Sequence, residues 1–435
     1  MLHSEILDYL YNFLLNHLAI IIVISTYTLI IFIYSLIIYF KYRPHYKPLY
    51  FQYDQNSPVV NVHDLYDEFK LKDKLSFWRI FLGSWLLFPI RIPSGIFFFV
   101  AMNIQLNYHL KRLEHHDTDP NERKIIANII QYWPKLLFFV NGITIIDRTN
   151  EFKSKKKENE NDNKEEEKKY NNLISEESNE TKSYEEIYKK YLGDDYDFTD
   201  QKYSLIICNH IGFFEVLINM VKHQSGFFAK KEIENYAFVG PIAKAMNCLF
   251  VKRESDEDRA KIFEILEKRA KDYYEGKILA PLVLFPEGTT TCGRNLLKFK
   301  KGAFYSLLPI KPEIIDVYQE DDFSLAVGSS HVVLNFFRSM AYFRHRLYYI
   351  DLPVIRPTEF MFEKYKDLGK EKWQIFAEVT RKILCEIGDL KPSNKHLRDL
   401  NRYKKAMKNG NYTSEDFLSL CNEKDPVLNQ LGIKV

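Results

Sequence analysis

The longest hydrophobic segment lies near the amino terminus, where the 23 residues from Leu18 to Phe40 carry no charge. A helix needs about 20 apolar residues to cross the hydrocarbon of a bilayer, so this segment is long enough. The preceding residues include Glu5 and Asp8 and lack the basic start of a secretory signal. The pattern predicts a transmembrane helix over 18–40, with a buried core helix as the alternative.

The charges beside this segment predict its orientation. Lys41, Arg43 and Lys47 follow the apolar run, whereas the residues before it are acidic. Loops that face the cytosol carry the excess of Lys and Arg. We therefore expect a lumenal segment over residues 1–17 and a cytosolic location for the chain after the first span.

A second apolar stretch runs from Ile80 to Ile104 but is interrupted near its middle. Proline removes a helical hydrogen bond, and a charge is costly in lipid. We expect the chain to bend there and to form a membrane-associated helical hairpin or interfacial region over 78–147, with a second full span as the alternative. Trp133–Ile146 is too short to cross and should lie at the interface or enter the core. The interrupting residues are Pro89, Arg91 and Pro93.

Residues 151–200 are rich in Lys, Glu and Asn and poor in apolar side chains. They carry a net charge of −6, which leaves +9 for the rest of a chain whose total is +3. Such a composition predicts a disordered charged insertion. The basic remainder favours an anionic partner such as a membrane surface or a phosphorylated ligand.

After this insertion, short β-branched or aromatic runs alternate with helical periods, which is typical of an α/β domain. We predict a central mixed sheet flanked by helices over 201–390, and a helical tail over 391–435. The predicted strands are Tyr203–Cys208, Phe227–Ala229, Leu249–Val251, Leu282–Phe285 and Tyr348–Leu352, and the predicted helices are Val216–Lys222, Glu257–Tyr274 and Trp373–Ile387.

Composition narrows the class of protein. The chain is 46% hydrophobic and 27% charged, so it is neither fibrous nor disordered throughout. Its five cysteines form no CxxC pair, which argues against a disulfide scaffold or a zinc ribbon and suits reduced thiols in the cytosol.

The first candidate for chemistry is the segment NHIGFFE, which follows a predicted strand. Five residues along a regular helix point about 140° apart. His210 and Glu215 can therefore meet only if the histidine lies in the turn and the glutamate in the first helical turn. Glu215 would then orient the imidazole, and the other ring nitrogen could accept a proton from a substrate hydroxyl. The alternative is a turn histidine held by the local backbone.

Two further segments could bind an anion. LFPEGTTT follows another predicted strand and precedes a basic stretch that includes Lys298, so it predicts an anion cradle or a solvated turn. It is not a P-loop, because GxxxxGK[ST] does not occur in the chain. Lys252 and Arg253 end a short predicted strand, where a guanidinium suits phosphate; an exposed ion pair with a nearby carboxylate is the alternative.

The order of the segments NHIGFFE, FVGPIAKAMNCLFVKRES, LVLFPEGTTTCGRNLLKFKKGAF and YYIDLPVIRP resembles the four-block signature of the glycerophospholipid acyltransferases. The resemblance covers about residues 200–390 and is closest to the lysophosphatidylcholine/lysophosphatidylethanolamine acyltransferase branch. Two positions depart from the usual pattern. Glu215 replaces the aspartate of the first block, and Cys292 stands where the third block usually has asparagine.

The resemblance implies a membrane-bound enzyme that transfers an acyl group from acyl-CoA to the free hydroxyl of a lysophospholipid. His210 would be the base and Glu215 its partner. The implied alternatives are transfer to lysophosphatidic acid or glycerol 3-phosphate and, in another class, an inactive lipid-binding protein. The expected substrate-binding residues are Lys252, Arg253, Phe285, Pro286, Glu287, Gly288, Thr289 and Lys298.

The resemblance also sets expectations for ligands and location. Acyl-CoA is a co-substrate, membrane lipids and a lysophospholipid are the partners, and no cofactor, metal or nucleic acid is expected. The expected location is the endoplasmic reticulum membrane, with the catalytic domain in the cytosol.

Overall fold

The structure is a computed structural model of the chain. It describes residues 2–47, 49–51, 59–71, 74–115, 120–149, 183–237, 239–251, 256–278, 280–317 and 324–409.

A seven-stranded mixed sheet forms the centre of the described chain. Its order is β1-β7-β6-β2-β5-β3-β4, in which β7 and β6 are antiparallel and the other neighbouring strands are parallel. The carboxyl ends of β2, β3, β4 and β5 therefore lie at one edge. The strands are β1 Ile143–Asp147, β2 Leu205–Cys208, β3 Gly226–Lys230, β4 Leu249–Val251, β5 Leu282–Leu284, β6 Ile310–Asp316 and β7 His345–Asp351.

Helices cover both faces of this sheet, and each face has its own hydrophobic core. One core contains apolar side chains of α2, α3, α5 and α6, and the other contains those of α4, α7 and α10. Besides the short helix Val62–Leu65, the α-helices of the described residues are α1 Leu2–Tyr42, α2 Phe77–His115, α3 Pro120–Val140, α4 Tyr184–Leu192, α5 Phe214–His223, α6 Val239–Ala245, α7 Asp256–Tyr274, α8 Val332–Ser339, α9 Glu359–Lys364, α10 Lys372–Gly388 and α11 Leu397–Asn409.

These elements confirm the predicted fold class and, within three residues at each end, the strands and helices predicted after residue 200. The sequence prediction lacked β1 and β6. Trp133–Ile146 enters the core, as one of its two interpretations expected: Trp133 is buried in α3, and Ile143 begins β1. The predicted tail contains α11, and residues 410–435 lie outside the described residues.

The prediction that the helix breaks near Pro89–Pro93 is wrong. Helix α2 continues through both prolines and pairs with α3, so the hairpin turns after His115. The charge of Arg91 is tolerated because its guanidinium is buried and donates hydrogen bonds to the carbonyls of Val140, Met340, Tyr342 and Phe343. The protein thus supplies polar partners that lipid lacks.

The prediction of disorder over 151–200 is wrong at its carboxyl end, where α4 is an ordered helix. The hydroxyl of Ser183 caps it by accepting from the Glu185 N–H at 3.2 Å. Ile187, Tyr188 and Tyr191 lie on one side of α4 and are buried in the core. Their helical spacing supplies the apolar face that the average composition concealed. Residues 150–182 lie outside the described residues.

Two helical segments are long and apolar enough to cross a membrane, Leu18–His45 and Phe77–Leu113. Helices α1 and α2 pack together, for example through Tyr34 and Phe88, whose ring centroids are 5.1 Å apart. Much of their remaining surface is apolar and exposed.

Candidate active site

The candidate base lies immediately beyond the carboxyl end of β2. Asn209 fixes this strand end by exchanging two hydrogen bonds with the backbone of Ile315 on β6, at 2.9 and 2.8 Å. The chain then turns through His210, and α5 begins at Phe214. The buried strand β2 and the buried side chain of Asn209 therefore determine where the His210 backbone lies.

His210 and Glu215 form the predicted pair. The distance from His210 Nδ1 to Glu215 Oε1 is 2.6 Å, and the Gly212 N–H donates to the same oxygen at 2.8 Å. Glu215 is fully buried, whereas the His210 side chain is 23% exposed. A buried carboxylate on Nδ1 fixes the ring tautomer that leaves Nε2 unprotonated and able to accept a proton.

Aromatic stacking fixes the plane of the histidine ring. The rings of His210 and Phe285 are nearly parallel, with centroids 4.3 Å apart, and Phe227 stacks on the other side of Phe285. Within the described part of the chain, Nε2 of His210 has no hydrogen-bond partner. The imidazole is therefore held on one nitrogen and one face, and Nε2 stays available to a substrate.

Glu287 is turned inward and supports the base through its backbone. Its two carboxylate oxygens accept from the N–H of His210 at 2.8 Å and of Leu297 at 3.0 Å. Burial raises the pKa of Glu287 from 4.5 to about 7, although both N–H groups and the His210 charge lower it. Both oxygens are used by the protein, so the structure shows a positioning residue. Contact of Glu287 with an acceptor stays a prediction.

The other predicted residues of this loop lie at different depths. Pro286 and Thr289 are buried, whereas Gly288 and Lys298 are exposed. Gly288 has φ of +68°, a left-handed backbone conformation that favours glycine. Of the predicted set, the structure therefore places Phe285 and Glu287 against His210 and leaves Gly288 and Lys298 facing outward.

Lys252 and Arg253 lie outside the described residues. The strand before them, β4, runs parallel to β3, and its end lies at the same sheet edge as the end of β2. Three strand spacings separate β4 from β2, which is about 14 Å. Their role stays a prediction.

The segment between α1 and α2 supports the site, which the sequence analysis did not predict. The Glu68 carbonyl accepts from the Cys292 N–H at 2.8 Å, and the Phe69 carbonyl accepts from the Ser329 N–H at 3.0 Å. The loop that contains Cys292 contacts the turn at His210 directly, because the Thr291 N–H donates to the backbone carbonyl of His210 at 2.9 Å. The segment between α1 and α2 is thus coupled to the turn at His210 by backbone hydrogen bonds.

A second buried acid–base cluster lies on the same face of the sheet and was also missed. Glu313 of β6 is fully buried, pairs with His223 and accepts from the Tyr349 hydroxyl at 2.9 Å. Burial raises the pKa of Tyr349, with the charge of Glu313 as the next cause. These residues join α5, β6 and β7. The nearby Cys208 is no candidate nucleophile, because burial raises the pKa of its thiol.

Comparison with known proteins identifies this domain. Residues 183–318 match the family model described as Acyltransferase. The chain is 31% identical over 218 residues to the lysophospholipid acyltransferase LPEAT1 of Arabidopsis thaliana, covering 49% of this chain and 51% of that relative. It is also 31% identical over 156 residues to LPEAT2 of the same plant, covering 36% of this chain and 28% of the relative. The chain thus carries an acyltransferase domain over residues 183–318.

The matched acyltransferase domain contains both members of the dyad and Glu287. The chain spans about half the length of LPEAT1 and less than a third of LPEAT2. Among solved structures, the 1-acyl-sn-glycerophosphate acyltransferase PlsC of Thermotoga maritima is similar with a TM-score of 0.40 and 12% identity, covering 69% of this chain and 96% of that chain.

Proposed function

We propose that this protein transfers an acyl group from acyl-CoA to the free hydroxyl of a lysophospholipid, with lysophosphatidylcholine or lysophosphatidylethanolamine as acceptor. The observation that carries the proposal is the dyad: Nδ1 of His210 is held by buried Glu215, while the His210 side chain is 23% exposed. A histidine in that state is a general base for a hydroxyl. The named relatives are lysophospholipid acyltransferases, which supports an acceptor of this class.

The proposed reaction moves one proton twice. Nε2 of His210 takes the proton of the acceptor hydroxyl while its oxygen attacks the thioester carbonyl. The tetrahedral intermediate then collapses, the carbon–sulfur bond breaks, and the imidazolium returns the proton to the leaving thiolate of CoA. Glu215 stabilises the imidazolium between the two transfers, since its carboxylate is 2.6 Å from Nδ1.

We place the phosphate of the acceptor at the sheet edge that His210 shares with the ends of β4 and β5. Arg253 and Lys252 follow β4, and the exposed Gly288 and Lys298 follow β5. Cations on two sides of the base would orient a phosphate so that the neighbouring hydroxyl reaches Nε2. Both substrates partition into the bilayer, so the membrane helices would raise their local concentration.

The test is release of CoA by the purified full chain in detergent micelles. Oleoyl-CoA is offered with lysophosphatidylcholine, lysophosphatidylethanolamine, lysophosphatidic acid or glycerol 3-phosphate, and the free thiol is followed with a chromogenic reagent. We expect turnover with the first two acceptors and a rate lower by about 10²–10⁴-fold in the variant His210→Ala. Faster turnover with lysophosphatidic acid or glycerol 3-phosphate would reverse the acceptor assignment, and absence of turnover with every acceptor would refute the activity.

We further propose an endoplasmic reticulum membrane location with the acyltransferase domain in the cytosol. Lys41, Arg43 and Lys47 after the first candidate span and the acyl-CoA donor support this orientation. In intact cells the natural sequons at Asn179 and Asn411 should stay unmodified, whereas a sequon in an extension before residue 1 should be glycosylated. A glycan on Asn411 would refute the orientation.

A further inference from the structure

An exposed apolar patch lies on the catalytic domain, outside the candidate spans. It consists of Val332, Val333 and Phe337 on α8 and of Phe343 in the loop that follows; we name these four residues the α8 patch. Val333 is 50% exposed and Phe343 is 63% exposed. Polar and charged residues of α8, such as Asn335 and Arg338, instead point inward and are buried. A helix that exposes valine and phenylalanine while burying arginine is unusual for a surface in contact with water.

Helix α8, which carries three residues of the patch, is attached to the end of the first candidate span and to the residues just after it. The guanidinium of Arg338 lies over the ring of Tyr42, 4.5 Å from its centroid, and donates to the Tyr46 hydroxyl at 3.1 Å. Leu334 packs against the buried cluster that contains Ile38 and Ile80. Helix α8 therefore lies where α1 ends and α2 begins.

The carboxyl-terminal part of the patch is attached to the middle of the second candidate span. An added Cβ at Gly83 would lie 1.8 Å from the Ala341 carbonyl oxygen, so the loop touches the α2 backbone. Eight residues further along α2, about 12 Å, Arg91 donates to the Met340 carbonyl at 2.8 Å and to the Phe343 carbonyl at 3.2 Å. The loop is thus fixed to α2 at two levels.

The position of the α8 patch beside helix α2 indicates what covers it. Exposed side chains of α2 such as Leu82, Leu86 and Ile90 belong to the stretch of α2 that this loop touches, and they form part of a candidate membrane span. A patch fixed to that stretch continues the same apolar surface. Exposed Arg344 follows Phe343, and a cation beside an aromatic ring is the pattern of a side chain at the lipid headgroups.

We propose that the α8 patch is a second membrane-docking surface, so that the catalytic domain itself enters the headgroup and upper acyl region of the bilayer. Its occupant is lipid. The α8 patch and the exposed faces of α1 and α2 would form one continuous surface, which fixes the tilt of the domain on the membrane as well as its distance. This inference concerns placement, and it does not require that the proposed reaction is correct.

The test measures the depth of a fluorophore in vesicles. Single cysteines replace Phe343, Val333 or Phe360 in a full-length background in which Cys248 and Cys421 are serine, and each is labelled with an environment-sensitive dye. Phe360, on α9, is the matched control: it is also an exposed phenylalanine, at 40%. A label at Ile90 reports the candidate span. The proteins are reconstituted in phosphatidylcholine vesicles with a nitroxide on the lipid chain, and iodide is the aqueous quencher.

We expect the labels at Phe343 and Val333 to behave like the label at Ile90. Lipid nitroxide should quench them several-fold more than the label at Phe360, and iodide should quench them several-fold less. Equal quenching at Phe343, Val333 and Phe360 would overturn the proposal, as would iodide quenching at Ile90 equal to that at Phe360. Unfolding midpoints of the labelled proteins verify that each one is folded, and CoA release is not needed for the readout.

Discussion

The clearest physical test of the site is the replacement Glu287→Gln. In the wild type, two buried N–H groups, from His210 and Leu297, each have a carboxylate oxygen as acceptor. Glutamine offers one carbonyl oxygen, so one N–H would face the amide NH₂ group. A buried donor without an acceptor costs about 1–3 kcal/mol, and this cost does not depend on pH.

The free energy of unfolding of the wild type also contains a contribution that depends on pH. The pKa of Glu287 is about 7 in the folded chain against 4.5 as its ordinary value. Each pKa unit corresponds to about 1.4 kcal/mol, so the shift amounts to about 3 kcal/mol. A raised pKa of an acid means that stability is fully present below pH 4.5 and is lost as the pH rises through 7. Glutamine does not titrate, so the variant lacks this loss.

The assay is denaturant unfolding of the full chain in detergent micelles from about pH 4 to about pH 8. The variant should be less stable at the acid end by about 1–3 kcal/mol. The difference should shrink or reverse at the alkaline end, because only the wild type loses about 3 kcal/mol. Glu363→Gln, at an exposed position of α9, controls for the loss of a carboxylate. Parallel profiles for wild type and Glu287→Gln would refute the reasoning.

The remaining predictions use the same protein. His210→Ala should lower the rate of CoA release by about 10²–10⁴-fold without lowering the unfolding midpoint, and near wild-type turnover in this variant would contradict the mechanism. Glu215→Gln should lower the rate by about tenfold, because glutamine still accepts from Nδ1–H of His210 but cannot stabilise the charge of the imidazolium. Deletion of residues 153–179 should leave activity within a few-fold, and a loss of about tenfold or more in folded protein would show that the segment regulates or docks. Gly83→Ala should destabilise the chain by about 1–3 kcal/mol, because the added Cβ would meet the backbone carbonyl of Ala341. The control Gly95→Ala lies on the same helix, where the added Cβ would meet only a methionine methyl at 3.9 Å, so it should be neutral or stabilising. Equal unfolding midpoints of the two variants would contradict the contact at Gly83.

The dyad was predictable because it is local. His210 and Glu215 are five residues apart, and helical geometry leaves a single arrangement in which they meet. The support of Glu287 was not predictable from the residues alone, because its carboxylate reaches an N–H group 77 positions earlier in the chain. Only the parallel pairing of β2 with β5 brings these two loops together.

The missed strands have physical reasons of the same kind. β6 contains Lys311, Pro312 and Glu313, and a proline with two charges argues against a central strand. The sheet tolerates them because Lys311 pairs with Asp351 at 2.7 Å and Glu313 with His223. β1 was hidden because its apolar residues continue the pattern of α3, and only the turn at Gly142, with φ of +66°, separates the two.

Arg91 also bears on how α2 meets the membrane. Its guanidinium holds the carbonyls of Val140 and Phe343, and the strands that follow them, β1 at the edge of the sheet and its neighbour β7, begin at Ile143 and His345. If α2 crossed the bilayer with Arg91 near the centre, the first residues of both strands would lie in hydrocarbon. Among the described strands, β1 has a neighbouring strand on one side only, and each backbone group left unsatisfied in hydrocarbon costs several kcal/mol. We therefore expect α2 to bury its exposed apolar side chains from one side of the membrane, with the sheet at the headgroups. That arrangement would keep His210 on the side of the membrane from which α2 enters, although the helix is not broken at the prolines.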